Sequence, residues 1–257
     1  MIALATLLPF ASLISAEILQ LLDRAHPSSA YADRCMIGRK AQLGDDMIYR
    51  PSAVSSVDSA LTYGEFELEF FAECVDRALN DAASDLTFVD VGSGVGRLVH
   101  AAAALWPHRF ARCTGVECVA ELHQLALVAD AELQAGLSSP LPPRQFVCCD
   151  WSEALGTGGP LSDADILFAY SSAFPSEGDR LSDFSAVCGN CLRPGARIVT
   201  TDKRLLSVDG LWEFELLDEL EGPNRETGGT SVAYVQQVVR SRREPTISLE
   251  TQSYNQE

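Results

Sequence analysis

The chain has 257 residues, of which 47% are hydrophobic and 21% charged, and this balance is typical of a folded globular protein. Its length is sufficient for one large α/β domain with a buried core. The formal charge of −17 repels nucleic-acid phosphates and anionic membranes at long range. It therefore argues against strong direct nucleic-acid binding and favours basic partners.

The first 16 residues are apolar enough to suggest a signal peptide, but they lack a basic start and Pro9 interrupts them. They are also too short to span a bilayer. Apolar residues then recur at helical spacing, at Ile14, Ile18, Leu21 and Leu22. This spacing predicts an amphipathic N-terminal helix packed on the domain, with a cleaved leader as the alternative.

The polar stretch 24–60 is predicted to be irregular, and helices and strands alternate after it. Helices are predicted at Phe66–Leu79, Arg97–Leu105, Leu122–Gly136 and Leu181–Val187. Strands are predicted at Leu86–Val89, Cys113–Val116, Gln145–Cys149, Asp165–Ala169 and Ala196–Thr200. This alternation predicts a parallel sheet with right-handed crossovers.

The C-terminal part departs from this alternation. Two further strands, Leu211–Leu217 and Ser231–Val239, are separated only by a glycine-rich loop at 222–229. They predict a hairpin, so the sheet should end with an antiparallel edge. The fold class expected is α/β, with a Rossmann-like, mostly parallel sheet. Residues 1–59 are expected to form a helical and irregular extension, 60–243 one domain, and 244–257 a disordered tail.

The eight cysteines are scattered along the chain, and several fall in predicted strands, where cysteine behaves as a small apolar residue. A reducing, intracellular compartment is the simpler interpretation, either nucleus or cytoplasm. Cys188 and Cys191 have C-x-x-C spacing without a second pair, so a structural use is preferred. The four histidines, His26, His100, His108 and His123, are interpreted as isolated, and no metal site is expected.

The stretch Asp90–Gly96 reads DVGSGVG and stands between a predicted strand and a predicted helix. Such a turn brings backbone amides close to a bound nucleotide. Arg97 occupies the third glycine position of the dinucleotide fingerprint, which disfavours NAD. The Asp90 carboxylate suits a ligand with positive charge and no phosphate. S-adenosylmethionine, with its sulfonium and ammonium, fits, and we expect it to bind Asp90, Gly92, Ser93, Gly94, Val95 and Gly96.

Two more acids end the next predicted strands. Glu117, beside Cys118, can accept hydrogen bonds from both ribose hydroxyls. Asp150, followed by Trp151, suits the amino group and the face of adenine. Each acid alone is as easily explained as a helix N-cap. Their shared position, at the edge where ligands bind in open α/β sheets, favours cofactor binding.

The order of five segments resembles a known family: Thr62–Glu65 (TYGE), FVDVGSGVG, TGVE, CDW and GARIVTTDK. They are similar to the catalytic domain of the disruptor-of-telomeric-silencing methyltransferases, the histone-lysine methyltransferases without a SET domain. The resemblance covers roughly residues 60–239. It implies a class I methyltransferase catalytic domain that uses S-adenosyl-L-methionine.

By position, the resemblance implies that Tyr63, Gly64 and Glu65 lie over the methionine end of the cofactor. It implies that Asp90, Gly92 and Gly94 bind the methionine portion and that Glu117 binds the ribose. It implies that Asp150 and Trp151 bind the adenine; the family usually has phenylalanine at the position of Trp151. Without the resemblance, the Tyr-Gly-Glu triplet would be interpreted as a helix-entry turn.

Two segments depart from the family. Where the family carries Asn-Asn-Phe after the fourth strand, this chain has Tyr170-Ser171-Ser172-Ala173-Phe174. Where the family has Trp-Thr-Gly and then two tyrosines, it has Glu226-Thr227-Gly228 and Ala233-Tyr234. The channel for the acceptor lysine is therefore incomplete by sequence.

Methyl transfer is an in-line displacement, so the protein has chiefly to align the reactants and exclude water. The candidates near the transferring methyl are Tyr63, Glu65, Ser171, Ser172 and Phe174. Tyr170, counted with the cofactor-binding residues, and Ser171 would orient an acceptor amine or hydroxyl, or else cap the next helix. The first hypothesis is a histone-lysine N-methyltransferase, a chromatin regulator acting on a basic protein. The alternatives are methylation of a non-histone protein or a small molecule, and a cofactor-binding module without catalysis.

Overall fold

The computed structural model of the chain describes residues 16–43, 61–137, 139–156, 159 and 161–243. The predicted leader, the disordered tail at 244–257 and the predicted helical position of Ile14 lie outside the described residues. No helix within these ranges is long and apolar enough to cross a membrane.

The centre of the structure is one seven-stranded sheet in the order β3-β2-β1-β4-β5-β7-β6. The strands are β1 Leu86–Val91, β2 Phe110–Glu117, β3 Arg144–Cys148, β4 Ile166–Ala169, β5 Arg197–Thr201, β6 Glu213–Asn224 and β7 Gly229–Arg240. Strands β1 to β5 are parallel, and β7 runs antiparallel between β5 and β6. The predicted fold class, including the antiparallel hairpin at one edge, is confirmed.

Seven α-helices accompany the sheet in the described ranges: α1 Ala16–Ala25, α2 Tyr31–Leu43, α3 Leu68–Leu79, α4 Arg97–Leu105, α5 Ala120–Gly136, α6 Trp151–Leu155 and α7 Ser182–Cys191. Short 3₁₀ turns occur at Ser28–Ala30 and Ser171–Ala173. The glycine-rich loop expected at 222–229 is shorter than predicted, because β6 continues to Asn224 and β7 begins at Gly229.

Helix α2 corrects the prediction that 24–60 is irregular. Its sequence carries no regular apolar stripe, and the apolar side chains that it buries in the core are Ile37 and Ala41. Both pack against Val95, Val119 and Leu122, which belong to the glycine loop and to the start of α5. The helix is thus stabilised by tertiary packing, which a local pattern does not reveal.

The two faces of the sheet are covered by different helices. Helices α3 and α4 pack on one face, where the fully buried Phe71 meets the rings of Phe88 and Phe168 edge to face at centroid distances of 6.0 and 5.1 Å. Helices α6 and α7 pack on the other. Helix α1 packs through Leu22 on the core that α3 and α4 form with the sheet. This packing confirms the predicted amphipathic N-terminal helix in its described part.

His26 and His100 contact each other, which corrects the interpretation of the histidines as isolated. His26 Nε2 lies 2.7 Å from His100 Nδ1, and both side chains are buried. His100 Nε2 lies 3.2 Å from Asp130 Oδ1, which also accepts a hydrogen bond from Arg144. This chain of contacts joins the end of α1 to α4, α5 and β3.

We expect the buried histidine pair to make stability depend on pH. Burial, with the nearby His100, Arg97 and Arg34, lowers the pKa of His26 from 6.5 to about 2. The folded chain keeps this ring neutral, whereas the unfolded chain protonates it below 6.5, so stability is lost as the pH falls through that value. Between pH 6.5 and 5 the free energy of unfolding should fall by about 2 kcal/mol through this group.

The measurement is urea unfolding at both pH values for the wild type, His26→Gln and the exposed control His108→Gln. The loss should become smaller in His26→Gln, because burial also lowers the pKa of the remaining His100, and should persist in full in His108→Gln. An unchanged pH dependence in His26→Gln would contradict the assignment.

Candidate functional site

The turn after β1 is built from glycines in the left-handed region. Gly92, Gly94 and Gly96 have φ angles of 75°, 52° and 80°, a conformation that favours glycine. The backbone N–H groups of Gly92 and Ser93 both donate to the Val116 carbonyl at 2.9 Å. The turn is therefore held against the end of β2, and Gly96 leads directly into α4.

Asp90 lies beneath this turn at the end of β1 and is 2% exposed. Burial and the nearby Glu117 carboxylate raise the pKa of Asp90 to about 8. Its carboxyl group therefore binds a proton at neutral pH until a cation approaches. A cationic ligand would favour its ionised form.

Glu117 connects the glycine turn to the start of α5 through its two oxygens. Oε2 accepts the N–H of Gly94 and Oε1 accepts the N–H of Val119, each at 2.8 Å. Burial raises the pKa of Glu117, while these backbone donors act in the opposite direction. A carboxylate has about four acceptor positions. Cys118 also donates to this carboxylate through its backbone and its side chain, so ribose hydroxyls expected at Glu117 would have to share or replace one of these donors.

Asp150 is the N-cap of α6, which is the alternative to cofactor binding given above for each of these acids. Its Oδ1 accepts the N–H of Ser152 at 2.8 Å. Trp151 lies parallel to Phe174, with ring centroids 6.5 Å apart and an angle of 9° between the rings. Burial is the main cause that raises the pKa of the Cys118 thiol, and the negative charges of Glu117 and Asp150 raise it further. The ends of β2 and β3 therefore place both acids near Cys118.

A cavity opens above Asp90 and the glycine turn. It is lined by Tyr63, Gly64, Glu65, Phe66, Asp90, Gly92, Ser93, Gly94, Arg97, Leu98 and Tyr170. Most of the residues expected at the methionine end of the cofactor thus come together. Val95 instead packs in the core beside α2, and a Cβ on Gly96 would overlap the Phe146 ring. These two residues shape the turn from below.

The Tyr63–Glu65 segment, called here the Tyr63 loop, closes one side of the cavity. The Tyr63 hydroxyl donates to Glu65 Oε1 at 2.8 Å, and the Arg34 guanidinium lies 2.7 Å from the same oxygen. A Cβ on Gly94 would lie 2.7 Å from Tyr63 Cε2, so the ring packs against the glycine turn. Gly64 contacts the Glu226 carboxylate from the turn between β6 and β7.

Ser171, Ser172 and Phe174 do not line this cavity. Ser171 is fully buried, and its hydroxyl donates to the Thr201 carbonyl at 2.8 Å and accepts the Thr201 N–H at 2.9 Å. Ser172 donates to the Asp202 carboxylate. The Phe174 ring packs on Phe184 in the core. The two serines tie the end of β4 to the end of β5, whereas the neighbouring Tyr170 does line the cavity.

We predict that Ser171→Ala lowers stability without affecting the cofactor. Removing the hydroxyl leaves the buried Thr201 N–H without its acceptor, which costs about 1–3 kcal/mol. Urea unfolding should show this loss, and the dissociation constant for S-adenosylmethionine should stay at the wild-type value. Ser176→Ala, at an exposed serine of the same segment, is the control. Wild-type stability combined with lost methyl transfer would instead support the catalytic role expected for Ser171.

Several residues of the site were missed by sequence reasoning. Arg34 lies in a stretch with no recognisable pattern, so no local signal indicated it. Tyr31 donates to Glu226 Oε1 at 3.5 Å, and Asn224 lies 3.5 Å from the Tyr170 hydroxyl. Glu226 was noticed only as a departure from the family, and that departure was the one available signal.

The residues present fit S-adenosylmethionine. Asp90 is buried without a counter-charge, which raises its pKa, and a cationic ligand would supply that counter-charge. The Ser93 hydroxyl is buried and has no hydrogen-bond partner in the part of the chain that the structure describes. The described residues contain no group of three or more His, Cys, Asp or Glu side chains that could hold a metal ion.

Comparison with known proteins supports this assignment. Residues 55–139 match a family model described as "Histone methylation protein DOT1". This segment contains the Tyr63 loop, the glycine turn and Glu117. No curated protein sequence matches the chain.

Solved structures with a similar fold include the rRNA methyltransferase aviRa from Streptomyces viridochromogenes, at 14% identity and a TM-score of 0.49, with 68% of this chain and 86% of that chain covered. Precorrin-6y C5,15-methyltransferase from Geobacter metallireducens GS-15 has 15% identity, a TM-score of 0.42 and coverages of 77% and 96%. TrmN from Thermus thermophilus has 18% identity, a TM-score of 0.47 and coverages of 71% and 52%. At TM-scores below 0.5, these likenesses carry no argument about the substrate.

The family match and the sheet confirm the resemblance seen in the sequence. The matched residues supply the Tyr63 loop and the first two acids of the site, and the sheet places those acids side by side at the ends of β1 and β2. The chain is therefore an S-adenosylmethionine-dependent methyltransferase with a Rossmann-like sheet, similar in its cofactor-binding part to the DOT1 family.

Proposed function

We propose that the protein is a non-SET protein-lysine N-methyltransferase that acts on a basic protein such as a histone. The observation that carries this proposal is the tyrosine-rich side of the cavity, where Tyr63 and Tyr170 lie near the carboxylate of Glu226. The similarity of residues 55–139 to a histone methylation family supports it. The net charge of −17 also favours a basic partner over a polyanion.

The acceptor side has both charge and aromatic faces. Burial, and then the charges of Glu226 and Asp202, raise the pKa of Tyr170 to about 12. The Tyr170 hydroxyl therefore stays protonated at neutral pH and acts as a neutral hydrogen-bonding group. Tyrosine faces and nearby carboxylates both attract an ammonium group. A lysine side chain meets these requirements.

The residues divide the work of methyl transfer among them. Asp90, the glycine turn and Glu117 would hold S-adenosylmethionine, which when bound supplies an electrophilic methyl group. Tyr63 and Glu65 would cover its methionine end and exclude water. Tyr170 would orient the acceptor nitrogen. Alignment of this kind supplies much of the rate of a displacement reaction.

A second candidate is methylation of a non-histone protein or a small molecule. Ser171 and Ser172, which replace the family's asparagines, bond to Thr201 and Asp202 and leave the acceptor side different from that of the family. A third candidate is a cofactor-binding module without catalysis. Asp90 and Glu117 argue for cofactor binding in all three cases.

The test is incubation of the purified chain with methyl-labelled S-adenosylmethionine and either nucleosomes, free core histones or RNA. Histones whose lysines have been acetylated serve as the matched control, because they keep the sequence but lose the amines. We expect label in unmodified histones and none in acetylated histones or RNA. Label in RNA alone would contradict the proposal, and cofactor binding without transfer to any acceptor would favour the third candidate.

A further inference from the structure

A buried arginine of α2, Arg34, forms an ion pair with the Tyr63 loop. The Arg34 side chain in α2 is 5% exposed and the Glu65 side chain 15%, and Arg34 Nη2 lies 2.7 Å from Glu65 Oε1. The Tyr63 hydroxyl donates to the same oxygen. Two donors from different parts of the chain thus converge on one carboxylate oxygen that lines the cavity.

Packing supports the same connection. A Cβ on Gly38 of α2 would lie 2.8 Å from Tyr63 Cβ, so the helix backbone directly contacts the Tyr63 loop. On its other side the Tyr63 ring touches Gly94. Gln42 of α2 donates to the Thr62 hydroxyl at 2.7 Å, one residue before the loop. Helix α2 therefore determines how close Tyr63 lies to the glycine turn.

We propose that Arg34 is a positioning residue of this methyltransferase and that α2 supports the Tyr63 loop from the side opposite to the cavity. Arg34 acts through Glu65: it holds the carboxylate, the carboxylate accepts the Tyr63 hydroxyl, and Tyr63 then covers the glycine turn. Removing the guanidinium leaves a largely buried carboxylate without its counter-charge, which is unfavourable, so we expect Glu65 to leave its present position. Tyr63 then loses the acceptor that orients it.

The inference rests on the proposed use of the cavity for S-adenosylmethionine, but Arg34 and α2 lie outside the matched segment 55–139. It assigns a role to Arg34 that neither the motif nor the family similarity indicates. It also predicts that the effect of Arg34 depends on Glu65, since Arg34 contributes to cofactor binding only through that carboxylate.

The test measures S-adenosylmethionine affinity by calorimetry for the full chain and for Arg34→Met, Arg34→Lys, Glu65→Gln and Arg34→Met/Glu65→Gln. Arg39→Met, at an exposed arginine of the same helix, is the matched control. We expect a dissociation constant at least tenfold higher for Arg34→Met, recovery to within about threefold for Arg34→Lys, and the wild-type value for Arg39→Met. The double variant should bind no more weakly than Glu65→Gln alone.

The outcomes separate the two proposals. If the wild type binds no S-adenosylmethionine, both the proposed function and the role of Arg34 are overturned. If the wild type binds but Arg34→Met binds equally well, or the effects of the two single variants add, only the role of Arg34 is overturned. If Arg34 had a purely structural role, Arg34→Met would lower the melting temperature, and the affinity for S-adenosylmethionine would not recover in Arg34→Lys. Should Arg34→Met not fold, Arg34→Lys and Glu65→Gln still decide whether the affinity depends on the ion pair.

Discussion

Asp90→Asn is expected to weaken S-adenosylmethionine binding about 100-fold, equivalent to about 3 kcal/mol. The amide keeps the size of the side chain but cannot become negatively charged when a cationic ligand arrives. Asp90→Ala should lose binding as well. The measurement is the dissociation constant by calorimetry at several pH values.

The pH dependence sharpens this prediction. Because the pKa of Asp90 is raised to about 8, the carboxyl group of the free protein is protonated at pH 7. A cationic ligand favours the ionised form, so binding should release a proton and strengthen as the pH rises toward 8. Below pH 8, affinity should fall about tenfold per pH unit through this group. Asp90→Asn should lose this dependence.

Stability should change in the opposite sense. A carboxyl group whose pKa is raised by folding destabilises the folded chain as the pH rises from its unfolded value of 3.8 toward 8. Asp90→Asn should therefore be at least as stable as the wild type at pH 8, despite its weak binding. Asp85→Asn, at an exposed acid just before β1, is the control. Wild-type affinity in Asp90→Asn would remove Asp90 from the site.

Glu117→Gln is expected to lose both stability and cofactor affinity. Each oxygen of Glu117 accepts a backbone N–H, from Gly94 and from Val119. The amide of glutamine has one oxygen, so its NH₂ group must face one of these donors. A buried donor left without an acceptor costs about 1–3 kcal/mol. The glycine turn is released at the same time, and the dissociation constant should rise at least tenfold.

Urea unfolding and calorimetry measure the two effects of Glu117→Gln separately. Glu121→Gln, at an exposed acid on α5, is the matched control and should change neither quantity. The two site variants should thus differ, because Asp90→Asn loses binding alone whereas Glu117→Gln loses binding and stability together. Unchanged stability in Glu117→Gln would show that its backbone bonds do not hold the turn.

Much of the site was predictable because it depends on strand ends. The apolar runs of β1, β2 and β3 locate Asp90, Glu117 and Asp150 at one edge of a parallel sheet, and the structure places them there. The placement of Ser171 and Ser172 outside the cavity was not predictable, and their expected roles near the methyl group stay predictions. The position of a residue directly after β4 shows that it lies near the edge of the sheet where the cavity is. It does not show that its side chain forms hydrogen bonds with the end of β5.

The N-terminal region illustrates the same limit. Helix α1 was predicted from its apolar stripe, whereas α2 has no such stripe and depends on contacts with α5 and the Tyr63 loop. Without α2, neither Arg34 nor Tyr31 could be connected with the cavity. The departure at Glu226 was visible in the sequence, but its contact with Gly64 was not.

The sequence by itself determined the succession of strands and helices along the chain, the glycine turn and the acids at the strand ends. These features depend on neighbours a few positions apart. Only the tertiary structure decided the contacts between distant segments. Tyr31 and Glu226 meet across 195 positions, and His26 and His100 across 74. No periodicity spans such separations, since they arise when helices and hairpin pack around one sheet. The walls of the cofactor site, and hence the role proposed for Arg34, belong to this second kind.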